Sequence, residues 1–215
     1  MQVGASDDSP PRGQEGFASK PRPGEAKPWS CTLFESPIVL LGMALAPFAF
    51  GEPAVAADAA WLANPADGDF NNTANWDTAA VPDGTATFDA SSNTNLSITS
   101  STTVGGFTFN AGAYTFAQNQ QLQFTGAGII VNGGSVAITD NHIMNFLNAS
   151  TAGDAAITNN GTLAFYNTAT AGNATIVNNA ATAFGDTATA GNATISNDGT
   201  VVFLGLSTAG TQYRQ

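Results

Sequence analysis

Apolar and polar residues alternate in short runs through the last third of the chain. In Ala155-Ala156-Ile157-Thr158-Asn159 the odd positions carry Ala, Ile and Asn. Asn160-Gly161 follows, and Thr162-Leu163-Ala164-Phe165-Tyr166 then sets Leu163 and Phe165 on one side. Period-2 alternation on both sides of an Asn-Gly pair predicts strand, turn, strand. Residue type agrees: Thr, Val, Ile and Phe favour extended backbone, and the helix formers Glu and Lys are missing here.

The pattern repeats with a fixed step. Thr-Ala-Gly stands at 151–153, 170–172, 189–191 and 208–210, each 19 residues after the last. Ile138, Ile157, Ile176 and Ile195 keep that step, as do Phe146, Phe165, Phe184 and Phe203. So do Asn159, Asn178 and Asn197, and Ala155, Ala174 and Ala193. Several residue types in register over three or four units mark a repeat protein. An antiparallel hairpin array and a parallel β-helix both fit strand–turn–strand units. A constant step that brings Ile onto Ile and Phe onto Phe favours the β-helix, with coils about 4.8 Å apart. Inward Ile, Leu or Val and Phe then form an apolar rod. Inward Asn159, Asn178 and Asn197 pass amide hydrogen bonds between coils, which offsets the cost of burying them. Thr-Ala-Gly marks a corner, where Gly admits a tight or positive-φ backbone.

Residues 91–138 keep the strand chemistry without the strict period. Leu96-Ser97-Ile98, Val104, Phe107-Thr108-Phe109, Tyr114-Thr115-Phe116, Leu122-Gln123-Phe124, Ile129-Ile130-Val131 and Val136-Ala137-Ile138 read as earlier, less regular coils. Asn110-Ala111-Gly112, Gly126-Ala127-Gly128 and Asn132-Gly133-Gly134 read as the turns between them. Residues 57–90 differ again, with Trp61, Gly68-Asp69-Phe70-Asn71, Asn75-Trp76, Val81-Pro82 and Phe88. A solenoid's first coil exposes an apolar end, so these aromatics are expected to cap it. Stacking of Trp61 or Trp76 on carbohydrate is the alternative.

Composition separates off residues 1–56. Within the first 58 of the 215 residues lie eight of ten prolines, all four glutamates and Arg12, Lys20, Arg22 and Lys27. All 20 Asn follow later, and no Lys, Arg or Glu occurs from Ala59 to Tyr213. Residues 37–50, PIVLLGMALAPFAF, form an uncharged apolar run of 14. That is short for a membrane span of roughly 20 and is interrupted by Pro47. Basic residues precede it and Ala54-Val55-Ala56-Ala57 follows. This predicts a signal peptide cut after Ala56 or Ala57; a buried core helix is the competing reading. Cys31 precedes the run, so it is no lipobox cysteine, and the mature chain would contain no Cys.

The opening W…GDFN…NW…VP…F, followed by the Gly-Gly-Phe-Thr-Phe-Asn-Ala-Gly stretch at 105–112, FTGAGI, VNGGSVAITDN and repeated NNGTLAF and TAGNATI, resembles bacterial autotransporter passenger domains. More narrowly, it is similar to those built from autotransporter-associated β-strand repeats, over roughly residues 59–212. The resemblance implies a right-handed parallel β-helix on the surface of a Gram-negative cell, exported through a C-terminal outer-membrane barrel. Here the sequence stops within a 19-residue unit, at Gln212-Tyr213-Arg214-Gln215. A solenoid over 91–215 is therefore expected to be C-terminally incomplete, a truncated gene product or fragment, or else its barrel is supplied elsewhere.

Charge narrows the function. Five Lys and Arg against sixteen Asp and Glu, a net charge of −11, exclude a nucleic-acid binder. One Cys and one His exclude a disulfide scaffold, a Cys-based zinc site or a His-rich metal centre. An enzyme acting on acidic polysaccharide needs basic support near its carboxylates, and between 59 and 213 only His142 is basic. The nine aspartates there, Asp67, Asp69, Asp77, Asp83, Asp89, Asp140, Asp154, Asp186 and Asp198, are scattered. Asp140 aligns with Asn159, and Asp154 with Asn173 and Asn192, as turn or ladder residues that need not ionise. His142 aligns with Gly161, Ala180 and Gly199, a turn. Ser135 lies in a Gly-rich turn with no nucleophile elbow. Asp67, Asp69 and Asp77 offer oxygen ligands for calcium but match no known loop. The expectation is a non-enzymatic, surface-displayed or secreted structural or adhesive rod. It has no catalytic, cofactor or metal residues, and its partners are surface glycans or proteins of a host or neighbouring cell. The alternative is a secreted carbohydrate-active β-helix whose site lies in an absent portion.

Overall fold

A computed structural model describes residues 55–210. The apolar run 37–50 and Cys31 lie outside the described residues. Among the described residues fourteen strands form two parallel sheets. One sheet orders β1 (Ala59–Ala60), β2 (Thr85–Phe88), β4 (Thr102–Phe109), β6 (Leu122–Val131), β8 (Ile143–Phe146), β10 (Thr162–Phe165), β12 (Ala181–Phe184) and β14 (Thr200–Phe203). The other orders β3 (Asn95–Ile98), β5 (Ala113–Gln118), β7 (Ser135–Asp140), β9 (Ala156–Asn159), β11 (Thr175–Asn178) and β13 (Thr194–Asn197). Consecutive strands alternate between the sheets from β2 onward, so each coil contributes one strand to each and the chain winds as a parallel β-helix. The hairpin alternative is excluded, because Asn160-Gly161 joins strands of different sheets and every pair of the described strands is parallel. Among the described residues the sole helical element is the 3-10 turn Thr73–Asn75.

A third side, not marked by any run of alternating residues, completes the later coils. Single parallel bridges link Gly128, Thr151, Thr170, Thr189 and Thr208 in one column. The Thr of each Thr-Ala-Gly triplet thus carries a ladder, and the Gly after it turns the corner with φ of 58°, 64°, 62° and 66° at Gly153, Gly172, Gly191 and Gly210. A second left-handed corner lies at Asn148, Asn167, Asp186 and Gly205, also one per coil. Asn, Asp and Gly tolerate that conformation better than other residues.

Register follows the 19-residue step from β7 onward: Ile138, Ile157, Ile176 and Ile195 face one another, as do Phe146, Phe165, Phe184 and Phe203. All but partly exposed Phe203 are buried. The Phe rings from Phe124 to Phe203 stack with centroids 4.8–4.9 Å apart. That separation equals the spacing of strands in a sheet, so backbone ladder and ring stack reinforce each other.

Earlier coils are longer. Gly126-Ala127-Gly128, read from sequence as a turn, lies inside one ten-residue strand, β6. The register of β4 against β6 shifts there, between Val104 and Gly106. The glycines explain the difference. A Cβ on Gly128, at φ +80°, would come within 2.2 Å of the Thr151 carbonyl oxygen. Without side chains the strand absorbs a bulge and stays paired instead of turning away.

At the N-terminal end Trp61, Phe70, Trp76 and Phe88 close over the rod. Trp61 and Trp76 meet edge to face at 5.2 Å, and Phe70 and Trp76 at 4.9 Å. The indole N–H groups donate to backbone carbonyls, Trp76 to Phe70 at 2.9 Å and Trp61 to Asn93 at 3.1 Å. Apolar burial with the polar handle satisfied is what an aromatic cap requires.

Candidate functional site

Two polar features remain once the apolar rod is accounted for: a groove beside the cap and a ladder inside the coils. The groove, of about 570 Å³, is open and lined by residues including Asp67, Asp69, Asn95, Ser97, Thr115 and Thr139. Outward positions of β3, β5 and β7 form its floor, since alternate strand residues face away from the core. A loop before the 3-10 turn forms its wall.

That wall is knotted by its own side chains. Asp67 accepts from Asn75 Nδ2 at 2.7 Å, from Asn72 Nδ2 at 2.8 Å and from the Asp69 backbone N–H at 2.9 Å. The Asn75 side chain, then the Asp69 N–H and the Asn72 side chain, hold the Asp67 carboxyl below its usual range. Asp69 accepts from Thr99 Oγ1 at 2.8 Å and from the Asn71 N–H at 3.0 Å. Asp77, grouped with these two by sequence, does not line the groove and binds the Ala60 N–H at 2.8 Å. Among the described residues no three His, Cys, Asp or Glu side chains gather as metal ligands would. Trp61 and Trp76 are buried, 3% and 2% exposed, so neither presents a face for a sugar.

The ladder runs through the interior. Asn159 Nδ2 donates to Asn178 Oδ1 at 2.7 Å, and Asn178 Nδ2 to Asn197 Oδ1 at 2.6 Å. Buried Thr182 donates to Asn178 Oδ1 at 2.9 Å. Asp140 precedes Asn159 in register, and Gln118 precedes Asp140. Both are fully buried. Desolvation pushes the Asp140 carboxyl up to about 6, against the lowering effect of the His142 backbone N–H.

No family model, curated protein or solved structure matches the chain. His142 is exposed in the turn after β7, and its backbone N–H, 3.0 Å from Asp140 Oδ1, makes the contact with that residue. Ser135 is exposed at the start of β7. The structure thus brings Asp67 and Asp69 together, and leaves Ser135 and Asp77 apart from them. Asp154 and Asp186 each continue an outer Asn ladder, accepting from Asn173 Nδ2 at 2.9 Å and from Asn167 N at 2.8 Å. Gln118 was missed as a ladder member. Its signal was present, because Tyr114, Phe116 and Gln118 alternate onto the same inward face.

Proposed function

We propose that this chain is a structural or adhesive rod, displayed on a cell surface or secreted, and non-enzymatic. The observation that carries the reading is the stack of in-register Ile, Phe and Asn ladders through the 19-residue coils. Such a stack builds a stiff, one-dimensional scaffold from nearest-neighbour contacts. Its flank suits contact with neutral, hydroxyl-rich partners. Among the described residues the charged side chains are aspartates, and hydroxyl and amide groups line the groove by the cap. Glycans or proteins on a host or neighbouring cell are the partners proposed, and the groove is the proposed point of contact. The resemblance to autotransporter passengers supports export and an outer-membrane route, as does the signal-like segment at 37–50.

Binding of the purified chain to arrayed glycans and to intact cells tests the reading. Saturable binding reduced by Thr115→Arg in the groove supports adhesion, and absence of binding with an intact rod leaves the stalk role. Saturable hydrolysis of a polysaccharide would instead establish the carbohydrate-active alternative.

A further inference from the structure

The interior ladder changes chemistry at one rung. From Asn159 onward each rung's Nδ2 donates to the Oδ1 of the next. The same nitrogens also donate to backbone carbonyls of the next coil, those of Ala181 and Thr200. Asp140 is the rung before Asn159. Its Oδ1 accepts from the backbone N–H two residues on, His142, at 3.0 Å, just as Asn159 Oδ1 accepts from Gly161 at 3.0 Å. The shared bond orients both side chains alike, so Asp140 Oδ2 stands where later rungs carry an NH2. It is an acceptor in a donor's place, buried and without a partner. Gln118, the register partner on the other side, adds a second unpartnered oxygen. Its Nε2 donates to the Gln120 and Ile143 carbonyls, which leaves Oε1 over. An ionised carboxylate here would lie between acceptors, out of water.

We propose that Asp140 is the proton-bearing rung of the ladder, a neutral carboxylic acid whose Oδ2–H donates to Asn159 Oδ1, so that the joint between the irregular coils and the 19-residue coils tightens in acid and loosens when the proton leaves. Asn159 Oδ1 is then satisfied as Asn178 and Asn197 Oδ1 are, by the rung before it. Few other charges bear on the site. His142 lies on the turn that follows β7. On β5 the one titratable group is Tyr114, whose hydroxyl donates to the Asp89 backbone carbonyl. The strands β6, β8, β9 and β10 carry none.

The folded carboxyl titrates at about 6 and the unfolded one near 3.8. Stability from this rung is full below the lower value and is lost as pH rises through the upper one. About two units of difference correspond to a roughly 100-fold change in unfolding equilibrium between pH 3.5 and 7.5.

The test uses the full chain and Asp140→Asn, which restores the amide of the later rungs. Carbon-detected NMR should find one side-chain carboxyl titrating near 6 in the folded wild type and absent from the variant. Denaturant unfolding should find the variant gaining roughly 100-fold relative to wild type on going from pH 3.5 to 7.5. An Asp140 carboxyl that titrates at or below about 4, or a variant-to-wild-type ratio unchanged across that range, overturns the proposal. Sequential assignment of the wild-type carboxyl decides the matter even if the variant does not fold.

Discussion

Removing the Phe165 ring should open a hole that the rod cannot close. The ring is fully buried and lies flat between Phe146 and Phe184, with both centroids 4.8 Å away and planes tilted by 8° and 6°. Phe165→Ala strips about 100 Å² of apolar area from the interior, or about 2.5–3 kcal/mol at ~25–30 cal/mol/Å². It also removes two ring contacts of about 0.5–1.5 kcal/mol each. Relaxation is restrained, because β10 is tied by backbone ladders to β8 on one side and β12 on the other. The expected loss is about 4–5 kcal/mol, at the high end for a buried Phe truncation. Equilibrium unfolding in urea gives the total, and hydrogen exchange resolved by coil gives its location. In a chain of nearest-neighbour interfaces the weakened joint should free β11–β14 before β4–β6 lose protection. Phe203→Ala serves as a control, since Phe203 is partly exposed and its loss should cost about half as much. A change below about 0.5 kcal/mol at Phe165 would refute both the register and the inward placement.

Asn178→Leu should cost about 1–3 kcal/mol, because it strips partners from Asn159, Thr182 and Asn197 together; urea unfolding measures it. Gly128→Ala should destabilise by at least about 2 kcal/mol, as its Cβ meets the Thr151 backbone in a left-handed conformation, whereas Ala127→Ser should change thermal stability little. The depressed Asp67 carboxyl contributes stability above its unfolded value of 3.8 that is lost as pH falls through the lower folded value. Tryptophan fluorescence should therefore shift to the red in acid, and Asp67→Asn should remove that component of the transition. Export predicts that N-terminal sequencing of the secreted product begins at Ala57 or Asp58, and a product retaining Met1 would contradict it.

Much of the architecture was written in the repeat. The step of 19 with Ile, Phe and Asn held in place specified coil length, register and three inward columns, because a parallel coil stacks each residue on its own counterpart. The glycine of Thr-Ala-Gly likewise announced a corner, since few other residues take a positive φ without strain. The sequence alone could not decide what depends on distant backbone. Gly126-Ala127-Gly128 carries the local chemistry of a turn, yet pairing with Thr151 of the next coil makes it a bulge within a strand. The Thr of each triplet bridges to its neighbours only once three sides close. Asp140 looked like a residue interchangeable with Asn, as its alignment suggests. Only the stacked coils above and below take its second oxygen out of water and leave it among acceptors, because burial belongs to the whole stack and not to the residue.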